Sequence, residues 1–296
     1  MGKFHAGELA VQHRAGIDDE ERLGRGIRDR IPLGAHDFLA SLPLVVLTTV
    51  GSDDTPWISP LFGSPGFVQL ADEKTVSIHT APRQGDRWAD HVTANSTAGL
   101  LAMDFARRSR LRINGDAKLD AEGLRLHTRE FYANCPQYIQ ARVLEGEPRD
   151  ASPAKAFATG RLSPEHARWI SSADTFFLGT VDSRAGADAS HRGGRSGFIR
   201  VESESRLTWP DYPGNNKFQS LGNIHATPAA ALLFIDYQSG ATLQLGGTAT
   251  ILWDSPRQAE FPGAQRLLQF DIREVVEITP AQPLRWNFLE ASPSNP

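Results

Sequence analysis

The residues best suited to chemistry lie at 187–198, where the sequence reads ADASHRGGRSGF. Two arginines, one histidine and three glycines crowd into this short segment, so positive charge is dense and side chains are small. An arginine side chain suits planar anions, which it binds through two parallel hydrogen bonds. The composition of the segment therefore predicts contact with an anion.

A second segment, PDYPGNNKFQSLGN at 210–223, has the composition of an anion-binding turn. Its PGNN stretch at 213–216 strongly favours a turn, and Lys217 is one of only five lysines in the chain. Ser220 and Asn223 lie on the helix-like segment that follows. Backbone N–H groups at such a turn and at a helix start form a nest for anions, to which lysine adds charge.

Together, the two segments predict a ligand that carries a phosphate and an extended aromatic or polar body. Each segment alone also has a structural interpretation, as a solvated hairpin or as an ordinary turn rich in asparagine and glycine. Their occurrence in the same half of the chain favours binding.

Predicted β-strands surround both segments. Apolar runs at 175–181 and 198–201 are typical of two strands joined by a hairpin, which would carry the cationic residues. We expect helices at 85–95, over NCPQYIQARV (134–143), and after Ser163, which is suited to cap a helix that starts with proline.

The chain contains an internal repeat. When residues 94–117 are shifted by 132 positions, eight of the 24 residues are identical, where composition alone would give roughly two. Many short strands separated by turn residues favour a β-barrel. The sequence therefore predicts a tandem duplication of a small barrel, with the two copies packed as a pseudo-dimer inside one chain.

The repeat divides the chain into four parts. We predict an N-terminal arm at 1–36, a first barrel at 37–146, a linker at 147–163, and a second barrel with a C-terminal tail at 164–296. The two copies differ at the cationic segment, because Pro60 and Leu61 stand where the second copy has His191 and Arg192. The polar residues are thus an addition in one copy that the fold itself does not need.

The first barrel offers positive charge of its own in the segment RRSRLRING at 107–115. Arg110 and Arg112 alternate with Leu111 and Ile113 on a predicted strand, so both arginines share one face. If that face meets the second barrel, the arginines bring positive charge to the anion. A solvated strand edge is the alternative.

Composition narrows the class of protein. The chain has 296 residues, a net charge of −4 and one cysteine, Cys135. The negative charge argues against a nucleic-acid partner, and the single cysteine excludes a disulfide framework within the chain. Because no apolar run has the length of a signal peptide or membrane helix, we expect a cytoplasmic protein without a membrane partner.

No set of residues has the spacing of a metal site. We expect Cys135 to be a small buried residue.

Several motifs resemble the pyridoxamine 5'-phosphate oxidase-like superfamily of FMN-binding split barrels. They are SHRGGRSGF (190–198), the segment at 210–223, TPAAALLFIDY (227–237) and LQLGGTA (243–249). A two-barrel subgroup, known also from fusions with ferredoxin-reductase-like modules, is the closer match. It is indicated by FHAGE (4–8), RRSRLRING, NCPQYIQ (134–140) and PLRW (283–286).

The resemblance implies tandem split barrels, mainly β with small helices, that hold FMN at the interface between the barrels. It implies that the second barrel contacts the cofactor and that the first adds residues from RRSRLRING. Carried onto this sequence, the cofactor-binding residues are Ser190, His191, Arg192, Gly193, Gly194, Asn215, Asn216, Lys217, Phe218, Ser220, Asn223, Arg110 and Arg112.

The implied function is that of an FMN-dependent oxidoreductase. FMN would carry electrons or hydride between a reduced donor such as NAD(P)H and a small acceptor, and no catalytic side chain is identified. A non-enzymatic flavin-binding or electron-transfer module that serves a separate reductase is one alternative. A barrel that binds deazaflavin or haem is another. The chain lacks a match to the substrate-phosphate residues of pyridoxamine phosphate oxidase, so vitamin B6 oxidation is not expected. The sequence does not decide whether the chain forms a homodimer.

Overall fold

The computed structural model describes residues 3–146, 154–280 and 284–296. Three short helices precede the first strand, two of them in the N-terminal arm, and a 3₁₀ turn at Leu33–Ala35 precedes the third. These helices are α1 (Ala6–Arg14), α2 (Glu20–Gly24) and α3 (His36–Ala40). None of the helices in these ranges is long and apolar enough to cross a membrane.

Barrel 1 is a seven-stranded antiparallel sheet in the order β2-β1-β5-β6-β7-β4-β3. Helix α4 (Trp88–Ala94) connects β4 to β5, within the range predicted to be helical. The strands are β1 (Leu44–Val50), β2 (Pro56–Phe62), β3 (Val68–Asp72), β4 (Thr75–Ile78), β5 (Thr97–Asp104), β6 (Ser109–Asp120) and β7 (Gly123–Asn134).

Barrel 2 repeats this topology in the order β11-β10-β14-β15-β16-β13-β12. The match, strand for strand, confirms the predicted duplication. Two helices belong to this part of the chain, α5 (Pro164–Ser172) and α6 (Gln219–Ala226). The strands are β10 (Thr175–Asp182), β11 (Gly186–Gly193), β12 (Arg200–Ser203), β13 (Arg206–Asp211), β14 (Ala229–Ile235), β15 (Thr242–Leu252) and β16 (Arg266–Pro280).

Three further strands lie outside the repeat. Strand β9 (Ala154–Thr159) adds to β16 of barrel 2, so the segment predicted to be a linker contains ordered sheet. The rest of that linker, up to residue 153, falls outside the described residues. Strand β8 (Ala141–Glu145) pairs with β17 (Arg285–Glu290), which ties the C-terminal tail to barrel 1.

The predicted cationic hairpin is instead a strand. Residues 186–193 form β11, which pairs with β10 along its whole length, and the chain turns only at 194–197. The first half of the segment consists of small residues that fit between packed strands, whereas the glycines that suggested a loop lie at its end. As a result, side chains at 188, 190 and 192 share one face of the sheet.

The helix predicted over NCPQYIQARV is also wrong. Asn134 ends β7, residues 135–140 are an irregular connection with a turn at 137–138, and Ala141 begins β8. Pro136 has no N–H to donate, and Tyr138 has a φ of +65°, which a helix does not tolerate. The helix predicted after Ser163 is confirmed, because the Ser163 side chain accepts from the backbone N–H of His166.

Three apolar cores hold the molecule together. One fills each barrel, and the third lies between them, where Val46 and Leu101 of barrel 1 pack with Phe177 and Leu233 of barrel 2. The backbones approach closely at this interface, since a Cβ added to Gly99 would lie 2.7 Å from the carbonyl oxygen of Ala187. The barrels therefore form the predicted pseudo-dimer.

Candidate functional site

Strands β6 and β11 bring the predicted cationic residues of the two barrels together. The Arg110 Nη1 atom donates to His191 Nδ1 at 2.8 Å, and the Arg112 Nη1 atom lies 3.0 Å from Asp188 Oδ2. The alternation along β6 explains this arrangement, because Ile113 packs into the core of barrel 1 while the arginines face barrel 2.

Asp188 is the centre of a buried polar network that the sequence analysis did not single out. Its carboxylate accepts from Arg112, from the Tyr132 hydroxyl at 3.0 Å and from the Ser220 hydroxyl at 2.8 Å. Arg112 and Tyr132 belong to barrel 1, whereas Ser220 belongs to barrel 2. Because a buried carboxylate needs such partners to stay charged, the network fixes the two barrels relative to each other at this site.

Arg192 is held by a second carboxylate. Its Nη1 atom donates to Asp211 Oδ1 at 3.1 Å, and Arg266 lies 3.6 Å from the other oxygen of the same group. Two arginines thus share one buried carboxylate, which leaves an excess of positive charge beside β11.

These side chains surround a cavity of about 100 Å³, which we call the cationic pocket. It is lined by Arg110, Arg112, Asn134, Cys135, Gln137, Tyr138, His191, Arg192, Gly193, Phe198, Pro210, Tyr212, Pro213, Gly214 and Asn215. A stacked pair, Tyr138 and Tyr212, has ring centroids 5.2 Å apart.

Four buried nitrogen atoms of these residues have no hydrogen-bond partner within the described part of the chain. They are the Nε atoms of Arg110, Arg112 and Arg192 and the Nε2 atom of His191. Since His191 accepts from Arg110 through Nδ1, its Nε2 atom carries the proton and is also a donor. The residues that line the pocket therefore have four unused donors against one unused acceptor, Asn134 Oδ1.

Electrostatics supports the same conclusion. Burial, together with the nearby charges of Arg112 and Arg192, lowers the pKa of Arg110 to about 9. Burial and the surrounding arginines, Arg110 foremost, also hold the pKa of His191 well below its usual value, so the imidazole is neutral. Among the described residues Arg110 has no carboxylate partner. A bound anion would relieve the desolvation of its guanidinium.

A second cavity, of about 80 Å³, adjoins the cationic pocket and is bounded by the predicted turn. Asn216 and Phe218 both adopt left-handed backbone angles with φ of +58°, and the Asn215 side chain accepts from the backbone N–H of Lys217. This turn leads into α6, on which Ser220 lies. Asn216, Phe218 and Ser220 all line this second cavity.

Other predicted contacts lie elsewhere. The Lys217 ammonium sits 5.0 Å from the centre of the Tyr132 ring and does not line the cationic pocket. Asn223 bonds to His5 and Thr180 and does not line this pocket. Ser190 is fully buried, and its hydroxyl oxygen accepts a hydrogen bond from the Ser220 hydroxyl.

Gly193 and Gly194, two of the three glycines of the segment, have structural roles. A Cβ added to Gly193 would lie 2.1 Å from the Tyr138 carbonyl oxygen, so only glycine lets this backbone approach. At Gly194 the carbonyl accepts from the Gln140 side chain, which also bonds to Asn295 in the C-terminal tail. The NCPQYIQ motif therefore supports the end of β11.

The expectation for Cys135 is wrong. Its side chain is exposed and lines the cationic pocket, because residues 135–140 form an irregular connection and not a packed helix.

The equivalent position in the other copy is closed. Strand registers match Arg112 to Gln244 and Asp188 to Trp57. Trp57 is buried beneath Arg87, whose guanidinium lies 4.7 Å from its ring and pairs with Glu274. Ala154 of strand β9 packs against Trp57, so the described residues fill this position, whereas the cationic pocket of the other copy is open.

Comparison with known proteins identifies the family to which this fold and site belong. The family model for pyridoxamine 5'-phosphate oxidase matches residues 34–153 and again 162–286. The chain therefore belongs to the pyridoxamine 5'-phosphate oxidase family, with one match in each barrel. No curated protein sequence matched the chain.

Solved structures with a similar fold come from several bacteria. HupZ of Group A Streptococcus is 14% identical over 44% of this chain and 98% of its own, with a TM-score of 0.32. An FAD-binding protein of Mesorhizobium loti is 10% identical over 42% and 97%, with a TM-score of 0.31. An FMN-binding protein of Syntrophomonas wolfei is 15% identical over 41% and 87%, with a TM-score of 0.29. At these scores the likenesses add no argument about ligand or activity.

Proposed function

We propose that the chain binds FMN at the interface between its barrels and acts as an FMN-dependent oxidoreductase. The observation that carries this proposal is the buried guanidinium of Arg110, which has no carboxylate partner in the described residues and lies beside two further arginines. A phosphate supplies the missing negative charge and accepts several hydrogen bonds at once.

The residues of the cationic pocket fit this cofactor. The four unused nitrogen donors surround a space of about 100 Å³, which has room for a phosphate but not for a flavin ring. The ring must therefore extend beyond the pocket. Tyr138 and Tyr212 line the pocket and offer aromatic surface to it, and Cys135 lies at the exposed side.

Bound FMN would supply the redox chemistry by accepting and donating two electrons as hydride. The side chains of this site hold and orient it. Arg110, Arg112 and Arg192 bind the phosphate, and His191 donates through Nε2. Asp188 and Asp211 keep two of the arginines in place. The proposed donor is NAD(P)H and the proposed acceptor is a small molecule.

Cofactor release tests this proposal. The full chain is denatured with acid, and the released compound is analysed by mass and by its absorption spectrum. FMN is expected from the wild type and is expected to be largely lost from the Arg110→Met, Arg192→Met double variant. Release of a deazaflavin or haem, or failure of the purified protein to take up added FMN, contradicts it.

Turnover separates the enzyme from a passive flavin carrier. With FMN bound, the proposed oxidoreductase consumes NADH or NADPH in the presence of oxygen or a quinone. A chain that binds FMN but oxidises neither nucleotide is instead an electron-transfer or flavin-binding module, and the enzymatic part of the proposal then fails.

A further inference from the structure

A larger cavity, of about 600 Å³, lies between the N-terminal arm and the two barrels. Its size is within the range of small-molecule binding sites. Asp188 lines this cavity, whereas its partner Arg112 lines the cationic pocket. The ion pair between Arg112 and Asp188 thus separates the cationic pocket from this larger cavity. We call this larger space the arm cavity.

The arm that closes this cavity is fixed in place. Helix α1 approaches α6 so closely that a Cβ added to Gly7 would lie 2.3 Å from the Gly222 carbonyl oxygen. His5 is the N-cap residue of α1, and its Nε2 atom forms a hydrogen bond of 3.0 Å with the Asn223 side-chain oxygen. The wall formed by the arm is therefore preformed.

The hydrogen bonds of His5 also define its charge. The Asn223 amide nitrogen donates to Thr180, so its oxygen must accept from the Nε2–H group of His5. The Nδ1 atom accepts from the Gly7 backbone N–H at 3.2 Å. This pattern requires a neutral imidazole, in agreement with burial, which lowers the pKa of His5 against the opposing effect of Asp182.

The buried wall of the arm cavity is acidic. Glu8, Glu130, Asp182 and Asp188 all line it, and among the described residues only Asp188 forms an ion pair with an arginine there. The positive residues that line this cavity, Lys3 and Arg184, are exposed and so are well solvated. Behind its wall, the buried Lys217 is the one ammonium among the described residues that interacts with both Glu8 and Glu130. The interior therefore favours positive charge.

Two amide groups add unused hydrogen-bonding capacity. Asn114 and Gln219 line the cavity and are each only 6% exposed. Within the described chain, the oxygen of Asn114 and the nitrogen of Gln219 have no hydrogen-bond partner. Buried amides of this kind are costly unless a ligand or water satisfies them.

We propose that the arm cavity is a second binding site, which takes a small organic cation through Glu8 and Glu130. An amidinium, guanidinium or ammonium group matches the carboxylates, and the two amides offer one acceptor and one donor to the rest of the ligand. This inference does not depend on FMN binding.

Binding of a cation at this site releases a proton. Burial raises the pKa of Glu8 to about 8, with added repulsion from Glu130, Asp188 and Asp182, against the hydrogen bond that the His5 backbone donates. Lys217, before α6, is the ammonium that faces Glu8, and His5 is neutral. Glu8 is therefore largely protonated at neutral pH, and an incoming cation favours its ionised form.

A matched series of three aromatic compounds tests the charge preference. Benzamidine, benzamide and benzoate have similar size and carry positive, neutral and negative charge. In calorimetric titrations of the full chain at pH 7.5, benzamidine is expected to bind at least about tenfold more tightly than benzamide, with no binding of benzoate. Equal affinity for all three, or no binding of benzamidine at millimolar concentration, overturns the proposal.

Measurement of proton release, in the wild type and in the Glu8→Gln variant, tests whether the cation contacts Glu8. Benzamidine titrations in buffers of different ionisation enthalpy are expected to show proton release by the wild type, which Glu8→Gln abolishes while weakening binding about tenfold. Glutamine still accepts from the His5 backbone, so the helix start is retained. Glu20→Gln, on the exposed α2, is the control. Unchanged affinity and proton release in Glu8→Gln overturn the assignment.

Discussion

At the scale of single residues, the anion site depends most on Arg110. Arg112 and Arg192 are each paired with a buried carboxylate, whereas the hydrogen bonds of Arg110 within the described residues go to the neutral His191 and to the backbone of Gln137. A buried charge without a partner lowers stability. The bound anion that we propose would supply the missing partner for this charge.

Glu8 provides a prediction at the same scale. Its pKa is about 8 in the folded chain, above the usual value of 4.5, so the folded state binds a proton more strongly than the unfolded state. Folding stability therefore falls as pH rises from 4.5 towards 8. The Glu8→Gln variant cannot titrate at this position and so lacks this pH dependence. The difference in free energy of unfolding, variant minus wild type, should therefore increase by about 3 kcal/mol from pH 5 to pH 8.

Urea unfolding of both proteins at the two pH values measures this difference. The exposed Glu20→Gln variant should show none of it. A difference between Glu8→Gln and wild type that does not vary with pH would mean that Glu8 titrates normally.

At the scale of strands and helices, the repeat was the most informative feature of the sequence. It predicted two barrels, and the structure gives them the same strand order. It could also have corrected the error at 187–198, because the equivalent residues 57–62, WISPLF, have the apolar composition of a strand. The dense glycines and charges obscured this equivalence. Periodicity alone does not separate a cationic loop from a strand whose polar face meets another barrel.

The site was predictable only in part. The sequence indicated that Arg110 and Arg112 share a face, which the structure confirms, whereas anion binding by the segment at 210–223 stays a prediction. It did not indicate Asp188, although this residue alternates with Ser190 and Arg192 along β11. The contact between Asp188 and Arg112 joins residues 76 positions apart in different barrels. Such a contact depends on how the barrels pack, which local patterns do not specify.

The interface between the barrels gives a prediction for strand β5. Gly99 lies so close to β11 that an added Cβ would be 2.7 Å from both the Ala187 carbonyl oxygen and the Asp188 Cα atom. Because both neighbours are backbone atoms, Gly99→Ala must move the barrels apart. We expect a loss of about 1–3 kcal/mol in the free energy of unfolding, measured by urea denaturation.

Gly34→Ala is the matched control, since a Cβ there has no atom within 4 Å. It should change stability by less than about 0.5 kcal/mol. Equal effects of the two substitutions would contradict the close packing of β5 against β11.

At the scale of the whole molecule, the duplicated chain is symmetric in fold and asymmetric in its sites. Trp57 and the Arg87–Glu274 pair fill the position that corresponds to the open site of barrel 2. Titration of cofactor-free protein with FMN, followed by flavin fluorescence, should therefore saturate at one equivalent per chain. Saturation at two equivalents would mean that the closed position also opens.

The central claim is that the cationic pocket exists to bind the phosphate of a flavin. The most direct measurement compares FMN with riboflavin, which lacks only that phosphate, in titrations of cofactor-free wild type, Arg110→Met and Arg107→Met. Arg107 belongs to the same motif, but its side chain is 72% exposed. Arg110→Met removes an unpaired buried charge and should not lower stability.

In wild type and in Arg107→Met, FMN should bind about 100-fold more tightly than riboflavin, and in Arg110→Met most of this preference should disappear. If FMN and riboflavin bind wild type equally, or if Arg110→Met keeps the full preference for FMN, the pocket does not hold the flavin phosphate and the account is wrong.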